Sequence, residues 1–168
     1  WIIGIINAYN LIDGLDGLCG TLSFTALITF GTILFSSYPD GSAVCFILAA
    51  SILGFLIFNW PIPNAKIFMG DGGSQFLGFM IATIPLYTSN ENLEFNKFLI
   101  MLVIVSFPMI DTIAAIWRRI RDHRPIMSPD RLHLHHKLLN LGFSKKHALY
   151  MVLSLQSLLC CTVILSIF

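Results

Sequence analysis

The chain has 168 residues, 56% hydrophobic and 11% charged, with ten Lys and Arg against nine Asp and Glu. Soluble domains carry roughly 25% charged residues, so a water-soluble domain, a disordered chain, a collagen and a coiled coil are excluded. A net charge of +1 leaves no basic excess for a nucleic-acid partner, and an integral membrane protein remains.

The segment from Trp1 to Ala8 is apolar, with no charged stretch before it, and does not read as a signal peptide. It reads as the end of a helix that starts upstream, so the chain is expected to be a fragment. Five apolar runs follow, over 18–37, 43–60, 74–88, 98–117 and 147–168. Crossing the hydrocarbon layer takes about 20 helical residues. The expected fold class is therefore all-α: a polytopic transmembrane helix bundle of about five full spans plus the end of another. No repeat or linker divides residues 1–168, which read as one domain. Cys19, Cys45, Cys160 and Cys161 lack CxxC spacing and read as small residues of membrane helices.

Basic residues orient the spans. Arg118, Arg119, Arg121, Arg124, Arg131, Lys137, Lys145 and Lys146 all fall within 118–147, which predicts that this segment is cytoplasmic. Counting spans back puts Lys66 on the same side and leaves only Lys97 outside. Three residue-rich loops, 9–17, 61–73 and 118–147, then share the inner face.

In the first loop, Asn10, Asp13, Gly14, Asp16 and Gly17 place two carboxylates on one side of a turn, with glycines that allow a ligand to approach. A helix cap at the water interface is the alternative. The acidic ligands and closing Glu of an EF-hand are missing. In the second loop, from Asn59 through Asn64 and Phe68 to Gly70-Asp71-Gly72-Gly73-Ser74, a glycine-rich turn precedes a helix. Its N–H groups and dipole favour an anion, and Asp71 suits Mg²⁺, although the GK[ST] ending of a P-loop is absent. An interfacial turn capped by Asp71 or Ser74 is the alternative. The third loop brings Arg118 to Arg124, then Arg131 and the cluster His133, His135, His136. Arginines suit phosphate or anionic headgroups, and histidines pass protons or donate to a diphosphate. Asp111, inside the fourth run, should face the bundle and pair, with Arg118 or Arg119 as candidate partners.

The segments Asn7-Ala-Tyr-Asn10-Leu-Ile-Asp13-Gly-Leu-Asp16-Gly17, Phe68-Met-Gly-Asp71-Gly-Gly-Ser74, Pro108-Met-Ile-Asp111-Thr and Ser128-Pro-Asp130-Arg131-Leu-His133-Leu-His135-His136 together resemble the polyprenyl-phosphate N-acetylhexosamine-1-phosphate transferases. The resemblance runs in the family's order over nearly the whole chain. It implies a ten- or eleven-span enzyme of the plasma membrane with a cytoplasmic site. Such enzymes move a sugar-1-phosphate from a UDP-sugar to a polyprenyl phosphate, with Mg²⁺ (or Mn²⁺) required and UMP released. It implies Asp71 as metal ligand, and Asp13, Asp16, His133, His135 and His136 as catalytic residues. Asn10, Asn64, Phe68, Arg118 and Arg131 are implied as substrate-binding, with Phe68 stacked on uracil. Leu134 interrupts the histidines, which is similar to the branch using UDP-N-acetylglucosamine. The branch transferring phospho-MurNAc-pentapeptide, with three consecutive histidines, is the alternative.

The family's upstream DDxxD-type motif is absent from these residues. The chain is therefore expected to be a C-terminal part that is inactive alone, and a non-catalytic relative is a further alternative. Spans otherwise poor in polar residues argue against a channel or transporter. Membrane lipid is the expected surroundings. A homodimer is compatible with the family, and no residue pattern marks its interface.

Overall fold

A computed structural model describes residues 1–60, 64–87, 95–125 and 133–167. Among these residues the regular structure is entirely helical: α1 (Ile2–Ile12), α2 (Leu18–Leu34), α3 (Pro39–Asn59), α4 (Gly70–Tyr87), α5 (Phe95–Ile104), α6 (Ser106–Arg121), α7 (Leu134–Asn140) and α8 (Lys145–Ile167). The all-α expectation holds. The loop histidines fall on a helix, because α7 begins just after His133 and carries His135 and His136.

Among the described residues two helices, α3 with 21 residues and α8 with 23, are long and apolar enough to cross a membrane. The count rises to three if α5 and α6 form one broken span, and among the described residues length and composition do not confirm the expected number of about five. The run 98–117, expected as a single span, is bent by 80° at Val105. Pro108 explains the break. It occupies the first turn of α6, where a missing N–H costs nothing, but it could not continue α5. In an unbroken helix residue 108 would donate to the carbonyl of Ile104. Gln156 of α8, fully buried, supplies that bond instead, its Nε2 donating to Ile104 O at 2.6 Å.

The core lies where α2 packs on α3 and α8 while α1 packs on α4 and α6. Ile5, Tyr9, Leu18, Leu22, Ile81 and Leu149 are buried at its centre. Helices approach closely where glycine permits. A Cβ on Gly78 of α4 would stand 2.9 Å from the Ile6 backbone of α1. The Ser42 hydroxyl donates to Gly31 O at 2.7 Å, tying α3 to α2. Trp1 Nε1 donates to Ala82 O at 2.9 Å, anchoring the start of α1 on α4.

The outward faces are apolar. On α3, Ile47, Leu53, Ile57 and Phe58 are exposed, and on α6, Ile110, Ile113, Trp117 and Ile120 form a stripe. Apolar surface on this scale belongs in lipid rather than water, and this is a membrane protein. Cys19, Cys45 and Cys160 are buried and unpaired, with Cys161 exposed, consistent with membrane-helix packing.

Candidate functional site

Described residues of all three residue-rich loops converge on one end of the bundle. The first is the turn between α1 and α2. Buried Leu15 pins it to the core, while Gly17, at φ +79°, makes the left-handed turn into α2 that a side chain would strain. Asn59, at the end of α3, is the clamp between this turn and the second loop. Its Oδ1 accepts the Gly17 N–H at 2.8 Å, and its Nδ2 donates to Ile67 O at 2.8 Å. Both halves of a buried amide are thereby satisfied by the backbones of two different loops.

Between the loops lies a cleft of about 230 Å³, lined by Asp13, Gly14, Leu15, Asp16, Asn59, Phe68 and Met69. Phe68 is 75% exposed at its rim. The glycine-rich segment is not a turn ahead of a helix, as expected, but the first turn of α4. The helix begins at Gly70, whose φ of +67° suits only glycine without strain. Asp71 therefore sits beside free backbone N–H groups and the positive end of the helix dipole. Asn10 reaches it from α1, its Nδ2 lying 3.3 Å from Asp71 Oδ1 and 3.1 Å from Ser74 Oγ.

Asp71 and Asp16 both lie near enough to Asp13 for their charges to act on it. The Asp13 carboxyl is pushed up to about 6, first by burial and then by the charges of Asp71 and Asp16. Asp16 has Lys145 Nζ at 3.5 Å, at the start of α8. Among the described residues no group of three or more His, Cys, Asp and Glu is arranged to enclose a metal. Mg²⁺ does not need such a cage. It takes oxygen ligands, keeps several waters, and is bound through one or two carboxylates plus substrate phosphates. Mutually repelling Asp13 and Asp71, with an amide oxygen and a hydroxyl nearby, fit that ion.

The histidines close the site from the other side. Asp111 of α6, buried, accepts from His133 Nδ1 at 2.7 Å and from the Leu134 N–H at 2.8 Å. The expected partner was Arg118 or Arg119; the carboxylate instead anchors the start of α7, 22 residues on. His133 stacks on His135, centroids 5.9 Å apart and planes within 6°, and His136 packs 4.2 Å from His135. His135 is fully buried, and burial followed by the His136 charge pulls its pKa down to about 4. That shift favours the neutral imidazole at physiological pH, and among the described residues neither ring nitrogen has a hydrogen-bond partner. Gly14 is where the cleft meets this cluster. A Cβ there would lie 2.6 Å from His135 Nε2 and 3.6 Å from His136 Cε1.

Asn10, Asp13, Asp16, Phe68, Asp71, His133, His135 and His136 are therefore brought together. Asn64 is exposed and Arg118 is half-buried in the last turn of α6, and neither is among the residues lining the cleft. Arg131 lies outside the described residues. Sequence reasoning assigned no role to Asn59 or Lys145. Asn59 stood inside a quoted motif segment, while Lys145 carried no signal beyond its charge.

A family profile described as Glycosyl transferase family 4 matches residues 1–89. The chain is 40% identical over 153 residues to the "Probable undecaprenyl-phosphate N-acetylglucosaminyl 1-phosphate transferase" of Bacillus subtilis, covering 90% of this chain and 42% of that protein. It is 35% identical over 157 residues to the "Undecaprenyl-phosphate alpha-N-acetylglucosaminyl 1-phosphate transferase" of Escherichia coli K12, with 92% and 43% covered. It is also 35% identical over 173 residues to the "Decaprenyl-phosphate N-acetylglucosaminephosphotransferase" of Mycobacterium leprae, with 89% and 42% covered. The chain spans about two fifths of the length of these relatives.

Proposed function

The chain belongs to glycosyl transferase family 4, and from that premise we propose that it forms part of an enzyme that transfers N-acetylglucosamine-1-phosphate. The donor is UDP-N-acetylglucosamine and the acceptor a polyprenyl phosphate such as undecaprenyl phosphate. The products are a lipid-linked diphospho-sugar and UMP, the first membrane step of an envelope polysaccharide. One observation carries the reading: Gly14 seats the acidic cleft directly against His135, so that carboxylates, an exposed aromatic and a histidine cluster share one end of an apolar bundle. The names of the relatives support the donor and the lipid acceptor.

In this reading Phe68, at the cleft rim, stacks on the uracil, and the turn from Asp13 to Asp16 contacts the nucleotide. Asp71 and Asp13, with Asn10 orienting Asp71, would hold Mg²⁺ or Mn²⁺. When bound, that ion offsets the charge of the diphosphate. An oxygen of the lipid phosphate attacks the β-phosphorus of the UDP-sugar as the bond to the UMP oxygen breaks. The acceptor is already anionic at neutral pH, so His135, held neutral, acts by hydrogen bonding to the phosphoryl oxygens rather than as a resident cation. The exposed apolar stripe of α6 lies beside Asp111, giving a prenyl chain a surface leading to the histidines. The basic-residue tally supports placing this end of the bundle at the cytoplasmic face of the plasma membrane.

The test uses the intact protein in membranes or detergent with polyprenyl phosphate, Mg²⁺ and UDP-N-acetylglucosamine, following UMP release with and without EDTA. Metal-dependent UMP release matched by lipid-linked sugar is the expected result. Release only with UDP-MurNAc-pentapeptide or another UDP-hexosamine would refute the donor. No release with any donor from folded protein would refute the activity.

A further inference from the structure

We propose that Asp111 is a positioning residue that fixes the tautomer and orientation of His133 within the site; its consequence for turnover rests on the transferase reading above. The geometry leaves little choice. An ionised carboxylate only accepts hydrogen bonds. One of its oxygens is taken by the Leu134 N–H at 2.8 Å and the other faces His133 Nδ1 at 2.7 Å. Nδ1 must therefore carry a hydrogen in either charge state, and in the neutral ring Nε2 is the nitrogen that accepts a hydrogen bond. Both side chains of the pair are buried, His133 at 5% and Asp111 at 6% exposure, so water competes little for the bond between them, while the cap from Leu134 is part-buried.

The same carboxylate does two things at once. Through Leu134 it holds the first turn of α7, and through Nδ1 it holds the ring that precedes that turn. The His133 ring stacks in parallel on His135, so fixing one plane fixes the next. A carboxylate borne on α6 thereby sets the attitude of a histidine cluster that lies 22 or more residues further along the chain.

Asp111→Asn separates positioning from simple structural support. The Leu134 N–H is a donor, so it selects the amide oxygen and the cap survives. The amide N–H₂ must then face His133 Nδ1 and force it to accept, moving the ring hydrogen to Nε2. In the intact protein labelled with ¹⁵N-histidine, NMR without substrate should show His133 protonated at Nδ1, switching to Nε2 in Asp111→Asn. With UDP-N-acetylglucosamine and polyprenyl phosphate, kcat should fall about 10- to 100-fold, while KM and the unfolding midpoint change little. Asp111→Glu, which keeps the charge, should recover part of that loss. The double variant Asp111→Asn, His133→Ala should be no slower than His133→Ala alone, because Asp111 acts through the ring.

An unchanged tautomer, wild-type turnover in Asp111→Asn, or losses that multiply in the double variant would each overturn the assignment. If the wild-type protein releases no UMP with any donor, the transferase reading fails, and the tautomer measurement still decides whether Asp111 positions His133.

Discussion

Gly14→Ala puts a methyl group where His135 already stands. The added Cβ would lie 2.6 Å from Nε2 and 3.0 Å from Cε1, against the roughly 3.5 Å of an unstrained contact. About 1 Å of overlap has to be absorbed. Gly14 is not among the residues with positive φ, so alanine's backbone is acceptable there and the methyl alone is at fault. The imidazole cannot swing into solvent, because it is fully buried and packed between His133 and His136. Either the ring leaves its rotamer or α7 shifts, at a cost of about 1–3 kcal/mol for overpacking. Displacing a site group by about 1 Å lowers turnover by about 100-fold. The assays are unfolding in detergent and UMP release. His135→Ala supplies the control, since removing the ring removes the clash. Adding Gly14→Ala to His135→Ala should therefore cost little or no further stability. An equal cost in both backgrounds, or wild-type turnover in Gly14→Ala, would refute the reasoning.

Further outcomes follow from the same geometry. Asp71→Asn in the intact protein should abolish turnover while membrane insertion and unfolding stay normal; near-wild-type activity would remove Asp71 from the metal site. Asn59→Ala should destabilise by about 2–4 kcal/mol, because it strands the Gly17 N–H and the Ile67 carbonyl, as read from the unfolding midpoint. Between about pH 4 and pH 6, folded Asp13 holds a proton that the unfolded chain has released, so its contribution to stability falls as pH rises. Folded His135 has the opposite sign. It stays neutral down to about pH 4 while the unfolded imidazole protonates from pH 6.5 downward, so its contribution is lost on acidification. Midpoints measured from pH 4 to pH 7 should show Asp13→Asn gaining relative to wild type as pH rises, and His135→Gln gaining as pH falls.

Much of the site was legible because its residues are costly in an apolar chain. Asp13, Asp16, Asp71 and the histidines stand out against their surroundings, and the charge pattern grouped their loops before any coordinates did. The pairings were not legible. Asp111 with His133, and Asp16 with Lys145, join residues whose proximity depends on how helices stack, and local spacing suggested nearer partners such as Arg118. The fourth apolar run hid a bend. Hydropathy averages over a window, so it reads α5 and α6 as one apolar stretch and says nothing of the 80° angle between them, although Pro108 was in view and its missing N–H is the reason for the break. The start of α4 was misplaced because four residues that include three glycines look like a turn, whereas tertiary packing draws them into a helix.

Gln156 stands about 16 Å along α8 from Lys145, at 1.5 Å per residue. Its amide grips the bend between α5 and α6. The two arms that diverge from this apex are α6, which carries Asp111, and α8, whose first residue meets Asp16. A slip of about 4° at the apex would become about 1 Å at the far end of the α8 arm, the tolerance beyond which chemistry slows by about 100-fold. One side-chain hydrogen bond among apolar helices thus works like the pivot of a pair of calipers, adding to the local contacts of the polar site a constraint from a point that touches none of its residues.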